Sequence, residues 1–166
     1  TLFITCSDSR IDPNLITHTD PGDLFVIRNA GNLIPAYGVA TGGEEATIEF
    51  ALHALGVKHI VICGHSCCGA MKGLLNPDSL ADMPSVANWL KHTEATRRLM
   101  KAKYPDVTGD DLLRLVTEEN VLTQIENLQT HPAVAVAMAQ GGFSIHAWVY
   151  DIGSGDVLAY DVNEGV

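Results

Sequence analysis

His59-Ile60-Val61-Ile62-Cys63-Gly64-His65-Ser66-Cys67-Cys68-Gly69 is the stretch on which the fold turns. Ile60 to Cys63 is apolar and mostly β-branched, with no polar alternation. That pattern predicts a strand covered on both faces, as in a parallel sheet. A glycine-containing turn follows at once, and a short helix begins after it.

Outward from this strand, the same alternation of strand and helix recurs. Leu2-Phe3-Ile4-Thr5 is a short apolar run that stops at a Ser/Asp cluster, and so reads as a strand. Asp20-Pro21-Gly22-Asp23 is a turn signal, Leu24 to Ile27 a second strand, and Gly31, Asn32, Pro35 and Gly38 mark a loop. Glu44 to Leu55 predicts a helix, with acids in its first turn and Gly56 at its stop. Ile48, Ala51, Leu52 and Leu55 form one apolar stripe and Ala46, Phe50 and Ala54 another. Such a helix is expected to be buried on two faces, between the sheet and a second subunit. Ser85 to Lys103 and Asp110 to Leu128 read as helices with charged outer faces, and Pro132 opens another. Ser144 to Tyr150 alternates as a strand, and Gly153-Ser154-Gly155-Asp156 turns into Val157 to Tyr160. The last pair is expected to form an antiparallel hairpin. Together these elements predict one α/β domain over residues 1–166. Its sheet should be mainly parallel and flanked by helices, with an antiparallel edge strand near the C-terminus.

The bulk numbers narrow the function. The chain carries 20 acidic and 10 basic residues, a net charge of −10. That balance speaks against nucleic acid and against anionic membranes, which select Lys/Arg clusters. No apolar run reaches the roughly 18 residues of a membrane span. The charged fraction, 18%, is below the usual ~25% of soluble domains; it fits either surface hidden in a homodimer or larger homo-oligomer, or a compact core. Three of the four cysteines, Cys63, Cys67 and Cys68, crowd together while Cys6 stands apart. This is a poor disulfide framework and a plausible metal cluster, which favours a reducing, cytoplasmic setting.

In parallel sheets ligands bind beyond the carboxyl ends of the strands. Cys6 follows the first strand, and His65 and Cys68 follow the third, so the three are expected to meet at one edge. Cys and His are ligands that zinc prefers, and three protein ligands with one open position describe a catalytic ion. His65 and Cys68 are three apart and would share a face of a helical turn, which makes Cys68 the ligand and Cys67 the bystander. Cys63 reads as a small buried hydrophobe. In Cys6-Ser7-Asp8-Ser9-Arg10, Asp8 is either an N-cap for a turn at Ile11-Asp12-Pro13 or a carboxylate within reach of the fourth position, held there by Arg10 through a bidentate pair. A thiol phosphatase is disfavoured, because Ser7-Asp8-Ser9 puts an acid where a phosphate would sit.

Cys6-Ser7-Asp8-Ser9-Arg10, followed much later by Gly64-His65-Ser66-Cys67-Cys68-Gly69, resembles the signature of the β-class carbonic anhydrases. Phe25 to Asn32 and Gly42 to Phe50 are similar to that family as well. The likeness is nearly continuous from Thr1 to Leu75 and looser to Asp161; Trp89-Leu90-Lys91-His92-Thr93-Glu94 looks most like cyanobacterial members. The resemblance implies reversible hydration of CO2 to bicarbonate and a proton by attack of zinc-bound hydroxide. It also implies one Zn2+ per chain on Cys6, His65 and Cys68, with Asp8 and Arg10 as a gating dyad. Ile34, Val39, Phe50 and Gly69 are the candidate lining of a small apolar substrate pocket. A cytoplasmic enzyme, in some organisms inside a carboxysome-type compartment, is the implied setting. Two other readings of the same scaffold are a CS2 or COS hydrolase and a non-catalytic scaffold protein. The chain departs from the family pattern in three ways: it has no glutamine in the loop after Asn32, it has Phe50 where many members have Tyr, and the helical N-terminal arm is not in this sequence.

Overall fold

The computed structural model describes residues 1–160. The last six positions of the domain expected over 1–166, Asp161 among them, lie outside the described residues. Five strands form one sheet: β1 (Leu2–Cys6), β2 (Phe25–Asn29), β3 (His59–His65), β4 (Ser144–Tyr150) and β5 (Val157–Tyr160), in the order β2-β1-β3-β4-β5. All neighbours are parallel except β5, which runs antiparallel to β4 at the edge. The expected sheet class and its antiparallel edge are both present.

Seven helices connect or flank these strands: α1 (Pro13–Thr17), α2 (Gly43–His53), α3 (Gly69–Leu75), α4 (Pro84–Leu90), α5 (Glu94–Lys103), α6 (Gly109–Gln129) and α7 (Pro132–Gln140). Leu2, Ile4, Ile60, Ile62 and Ala147 from the sheet pack with Ile48 and Ala51 of α2, Val121, Ile125 and Leu128 of α6, and Val134 of α7. Each aliphatic side chain of this size contributes about 1.5–3 kcal/mol on full burial. A second cluster joins Cys6 and Cys68 to Met71 and Leu74 of α3, Leu90 of α4, Met100 of α5, and Leu113 and Val116 of α6. The candidate ligands therefore sit in the wall of a packed core rather than on a free loop. The opposite face of the sheet carries Phe3, Val61 and Cys63, against which Leu24, Trp148 and Tyr150 pack. Cys63 is fully buried and free, and burial pushes its thiol up to about 12, in keeping with its reading as a small hydrophobe.

The structure corrects several boundaries. The helix expected from Ser85 to Lys103 is broken: α4 ends at Leu90, a 3-10 turn spans Lys91–Thr93, and α5 starts at Glu94. At the break the buried Thr93 hydroxyl donates to Asn120 Oδ1 on α6 at 2.8 Å, a tertiary bond that fixes the turn against that helix. The helix α1 was not foreseen. Asp12 caps it by accepting from the Asn14 and Leu15 amides, and His18 closes it at φ 52°. The stripe Ala46, Phe50, Ala54 is exposed in the single chain, so only one face of α2 is buried here.

The contact that sets the height of α6 over the sheet is at Gly64. A Cβ there would come within 2.8 Å of Val121 Cγ2 and 3.4 Å of Thr117 Cγ2. Gly64→Ala should therefore destabilise the protein by roughly 1–3 kcal/mol, the usual range for overpacking a filled site. Its urea midpoint measures this, and an unchanged midpoint would mean that α6 does not rest on β3.

Candidate metal centre

The parallel register delivers the ligands to one edge. Cys6, the last residue of β1, lies opposite Asn29, the last residue of β2, and Thr5 lies opposite Cys63, so that Gly64 and His65 end β3 just beyond. The ligating atoms of Cys6, His65 and Cys68 are buried and lie within 4.8 Å of one another. Two zinc–sulfur bonds of ~2.3 Å reach across a comparable span, so the cluster is of the size that one ion bridges.

The donors fit such an ion. His65 Nδ1 faces the Ser66 carbonyl oxygen at 2.9 Å. A carbonyl only accepts, so Nδ1 carries the proton and Nε2 is left with its lone pair. That Nε2 is buried with no hydrogen-bond partner. A buried acceptor without a partner costs about 1–3 kcal/mol, and a metal ion would remove the cost. The neighbouring Cys68 thiol holds Cys6 below the ordinary thiol range despite its burial, with His65 and the Gly31 amide adding to the effect. The same neighbour and its burial push Cys68 up. A cation between the two sulfurs would favour the thiolate form of both.

The route to Cys68 differs from the one expected. His65 and Cys68 do not share a helical turn. His65 ends β3, Cys67 takes a left-handed backbone at φ 58°, and Cys68 is extended at φ −62°, ψ 122° as it caps α3. The reversal at Cys67 turns its own side chain outward and Cys68 inward; Cys67 is exposed and Cys68 is 1% exposed. Ser66 anchors the turn from both sides, its amide donating to the Tyr150 carbonyl and its hydroxyl accepting from the Ile152 amide, each at 2.9 Å.

Asp12, not Asp8, caps α1; Asp8 closes the short turn before it, its carbonyl accepting from the Ile11 amide at 3.1 Å, and its carboxylate also serves Arg10. Its Oδ1 accepts from Arg10 Nε at 2.9 Å and from the Arg10 amide at 3.0 Å, and its Oδ2 from an Arg10 terminal nitrogen at 2.7 Å. This bidentate pair holds the Asp8 carboxyl well below the usual carboxylate range. Asp8 Oδ2 also stands 4.0 Å from His65 Nε2, so the carboxylate overlooks the open side of the ligand set. Arg28, which the sequence reading passed over, braces the turn: it donates to the Cys6 carbonyl at 3.1 Å and to the Asp8 carbonyl at 2.8 Å. A basic residue closing a strand beside two candidate ligand loops was the available signal.

The four candidate pocket residues do not converge within one chain. Gly69 begins α3 beside Cys68. Ile34 is fully buried in the main core, and Val39 is 63% exposed in the loop before α2. Phe50 is 53% exposed and packs on Phe25, ring centroids 6.0 Å apart. Phe25 begins β2 and Asn29 ends it beside Cys6. At ~3.3 Å per residue, that puts Phe25 about four residues, on the order of 13 Å, from the metal edge.

A five-stranded α/β sheet whose carboxyl edge gathers two thiols, an imidazole and a carboxylate–guanidinium pair defines a protein with a candidate zinc centre. Comparison with known proteins takes the assignment one step further. A sequence profile of the carbonic anhydrase family matches residues 1–157. A carbonic anhydrase of Synechocystis sp. is 58% identical over 161 residues, covering 96% of this chain and 59% of its own length. One from Pseudomonas aeruginosa is 49% identical, covering 96% and 72%. The solved β-carbonic anhydrase CcaA is 57% identical with a TM-score of 0.96, covering 99% of this chain and 81% of that one. The chain belongs to the carbonic anhydrase family, in its β class. It spans under three fifths of the length of the cyanobacterial relatives it matches.

Proposed function

We propose that this chain is the catalytic domain of an enzyme that reversibly hydrates CO2 to bicarbonate and a proton. In this reading one zinc ion sits on Cys6 Sγ, His65 Nε2 and Cys68 Sγ. The observation that carries the proposal is the buried, unpartnered Nε2 of His65 within 4.8 Å of the Cys6 and Cys68 thiols. Zinc at such a site is a Lewis acid that lowers the pKa of bound water and so supplies a nucleophile near neutral pH.

The remaining work falls to the chain. Asp8 Oδ2 accepts a hydrogen bond from the reacting water and orients its lone pair toward the substrate. Arg10 keeps Asp8 ionised and, by engaging both carboxylate oxygens, withholds it from the metal. Arg28 fixes the height of Cys6 and Asp8 relative to one another. CO2 has no charge to bind, so a small apolar recess is sufficient. Phe50, packed on Phe25, lies too far out to serve its own chain's site, and Tyr37, Val39 and Leu55, before and after α2, are exposed as well. We read these exposed apolar residues as part of the surface on which a second copy docks, in a homodimer or larger homo-oligomer. A β-carbonic anhydrase of Sordaria macrospora, 32% identical with a TM-score of 0.86 and covering 95% of this chain and 78% of that one, is a tetramer. Among the described residues no helix is long and apolar enough to cross a membrane. The free cysteines suit a reducing, cytoplasmic setting.

Elemental analysis joined to stopped-flow CO2 hydration tests the proposal. The expected result is one zinc per chain after dialysis and a hydration rate proportional to zinc content, with CS2 hydrolysis as the control activity. Folded, unchelated protein holding less than about a tenth of an equivalent would remove the metal reading. Zinc-loaded protein that turns over CS2 and not CO2 would replace the substrate.

A further inference from the structure

Trp89 stands outside the metal site, yet a single peptide unit connects it to Cys6. Its indole Nε1–H donates to the Ala30 carbonyl oxygen at 2.9 Å. The nitrogen of that same peptide belongs to Gly31, and its N–H donates to Cys6 Sγ at 3.4 Å. An indole N–H can only donate. Its bond to the carbonyl end polarises the peptide so that the amide end becomes a stronger donor, the cooperative effect of chained hydrogen bonds.

The peptide has little freedom to turn away. Gly31 sits at φ 83°, and a Cβ there would meet Ala70 Cβ at 3.0 Å and Met71 Cε at 3.2 Å, so it is wedged against the start of α3. The Gly31 carbonyl accepts from Asn120 Nδ2 of α6 at 3.1 Å. The Asn120 amide is itself fixed, because its Oδ1 accepts from Thr93 Oγ1 and Gln124 Nε2 at 2.8 and 3.0 Å. One turn along, Gln124 Oε1 accepts from the Ile34 amide at 2.8 Å. Helix α6 therefore grips the loop at two points, and the Trp89 bond bears on a peptide whose orientation is already set.

We propose that Trp89 is a positioning residue for the metal centre: through the Ala30–Gly31 peptide it sharpens the N–H···S bond to Cys6, and so sets the electron richness of that ligand and the hold of the site on its ion. The inference rests on the zinc reading above. Outer-shell groups that steady a metal ligand are usually worth 10–100-fold in affinity. Trp89 acts one peptide removed and belongs at the low end, about tenfold.

The test is Trp89→Phe, which keeps an aromatic ring and removes the N–H. Wild-type and variant protein are loaded with Co2+, whose thiolate-to-metal charge-transfer band reports the sulfur directly, and zinc release to a chelator is timed in parallel. A folded variant is expected to show the band at longer wavelength, because a thiolate relieved of a hydrogen bond gives up charge more easily, and to lose zinc about tenfold faster, because the more basic sulfur is protonated more readily and so competes less well for the ion. A purely structural role for Trp89 would lower the urea midpoint and leave the band where it was. An unmoved band with unchanged zinc release overturns the proposal. Wild-type protein that shows no thiolate band at all overturns the metal reading itself, and this one with it.

Discussion

Cys68→Ser should bring CO2 hydration down by at least about 10³-fold, beyond the 10–100-fold that outer-shell groups carry, and leave the folded protein nearly free of zinc. The substitution changes one atom in a core-facing side chain that is 1% exposed, so packing with Met71 and Leu90 is disturbed little. What goes is the second thiolate. A hydroxyl does not ionise at neutral pH and is a poor zinc donor, which leaves Cys6 and His65 alone as ligands. Zinc per chain and the urea midpoint should be read together. Stoichiometric zinc in the variant would mean that the cluster does not hold the ion, whatever happened to the rate. Cys67→Ser is the matched control; its side chain is exposed, and zinc content should not change.

That contrast between neighbouring cysteines shows how far the residues alone carry. The cluster includes Cys68 and not Cys67, but the backbone that brings Cys68 there is not the expected helical turn. A helical turn would have put His65 and Cys68 on one face; the chain instead uses a left-handed residue at Cys67 to throw the next side chain inward. Spacing registers that two residues are three apart, whereas the backbone between them depends on what holds the turn. Here the Tyr150 carbonyl and the Ile152 amide hold it, both more than eighty positions away. The sheet was legible for the opposite reason. Ile60 to Cys63 and Leu2 to Thr5 are unbroken apolar runs, and a run that needs cover on both sides has few places to go except the middle of a parallel sheet. Once both lie there, the meeting of Cys6 with His65 follows from topology.

The network behind the site was not legible. Arg28, Trp89, Asn120 and Gln124 are polar or amphipathic residues in strands and helices, where the ordinary expectation is a solvated face. Asn120 and Gln124 sit four apart on α6 and are at most 1% exposed. Their spacing announces a shared face, yet nothing local says that this face meets the loop at Gly31 and Ile34 rather than water. The broken helix at Lys91–Thr93 belongs to the same network, since Thr93 donates to Asn120 there.

The Asp8→Asn variant should keep its zinc and lose roughly 10² in turnover, the usual scale for a positioned acid–base group. All three candidate ligands are untouched, so metal content should stay at one per chain. The amide is nearly the shape of the carboxylate, and its oxygen can still accept from the Arg10 backbone and Nε as Oδ1 does now. The other position becomes an NH2 group facing an Arg10 donor, where at present a carboxylate oxygen accepts at 2.7 Å. The bidentate hold is lost, and with it the acceptor that overlooks His65 Nε2 at 4.0 Å. The pH dependence separates this role from a merely structural one. Arg10 holds the Asp8 carboxyl below its ordinary range, so in the wild-type protein the carboxylate is charged at every pH above the usual ~4 of a free aspartate. Its protonation therefore lies too low to produce an inflection in the wild-type rate between pH 5 and roughly 9; an inflection in that window belongs to the reacting water, and removing the adjacent Asp8 charge should move it to lower pH in the variant as well as lowering the rate. Two results would return Asp8 to a role in shaping the Cys6–Arg10 turn: an unchanged rate, or a loss of rate matched by an equal loss of zinc.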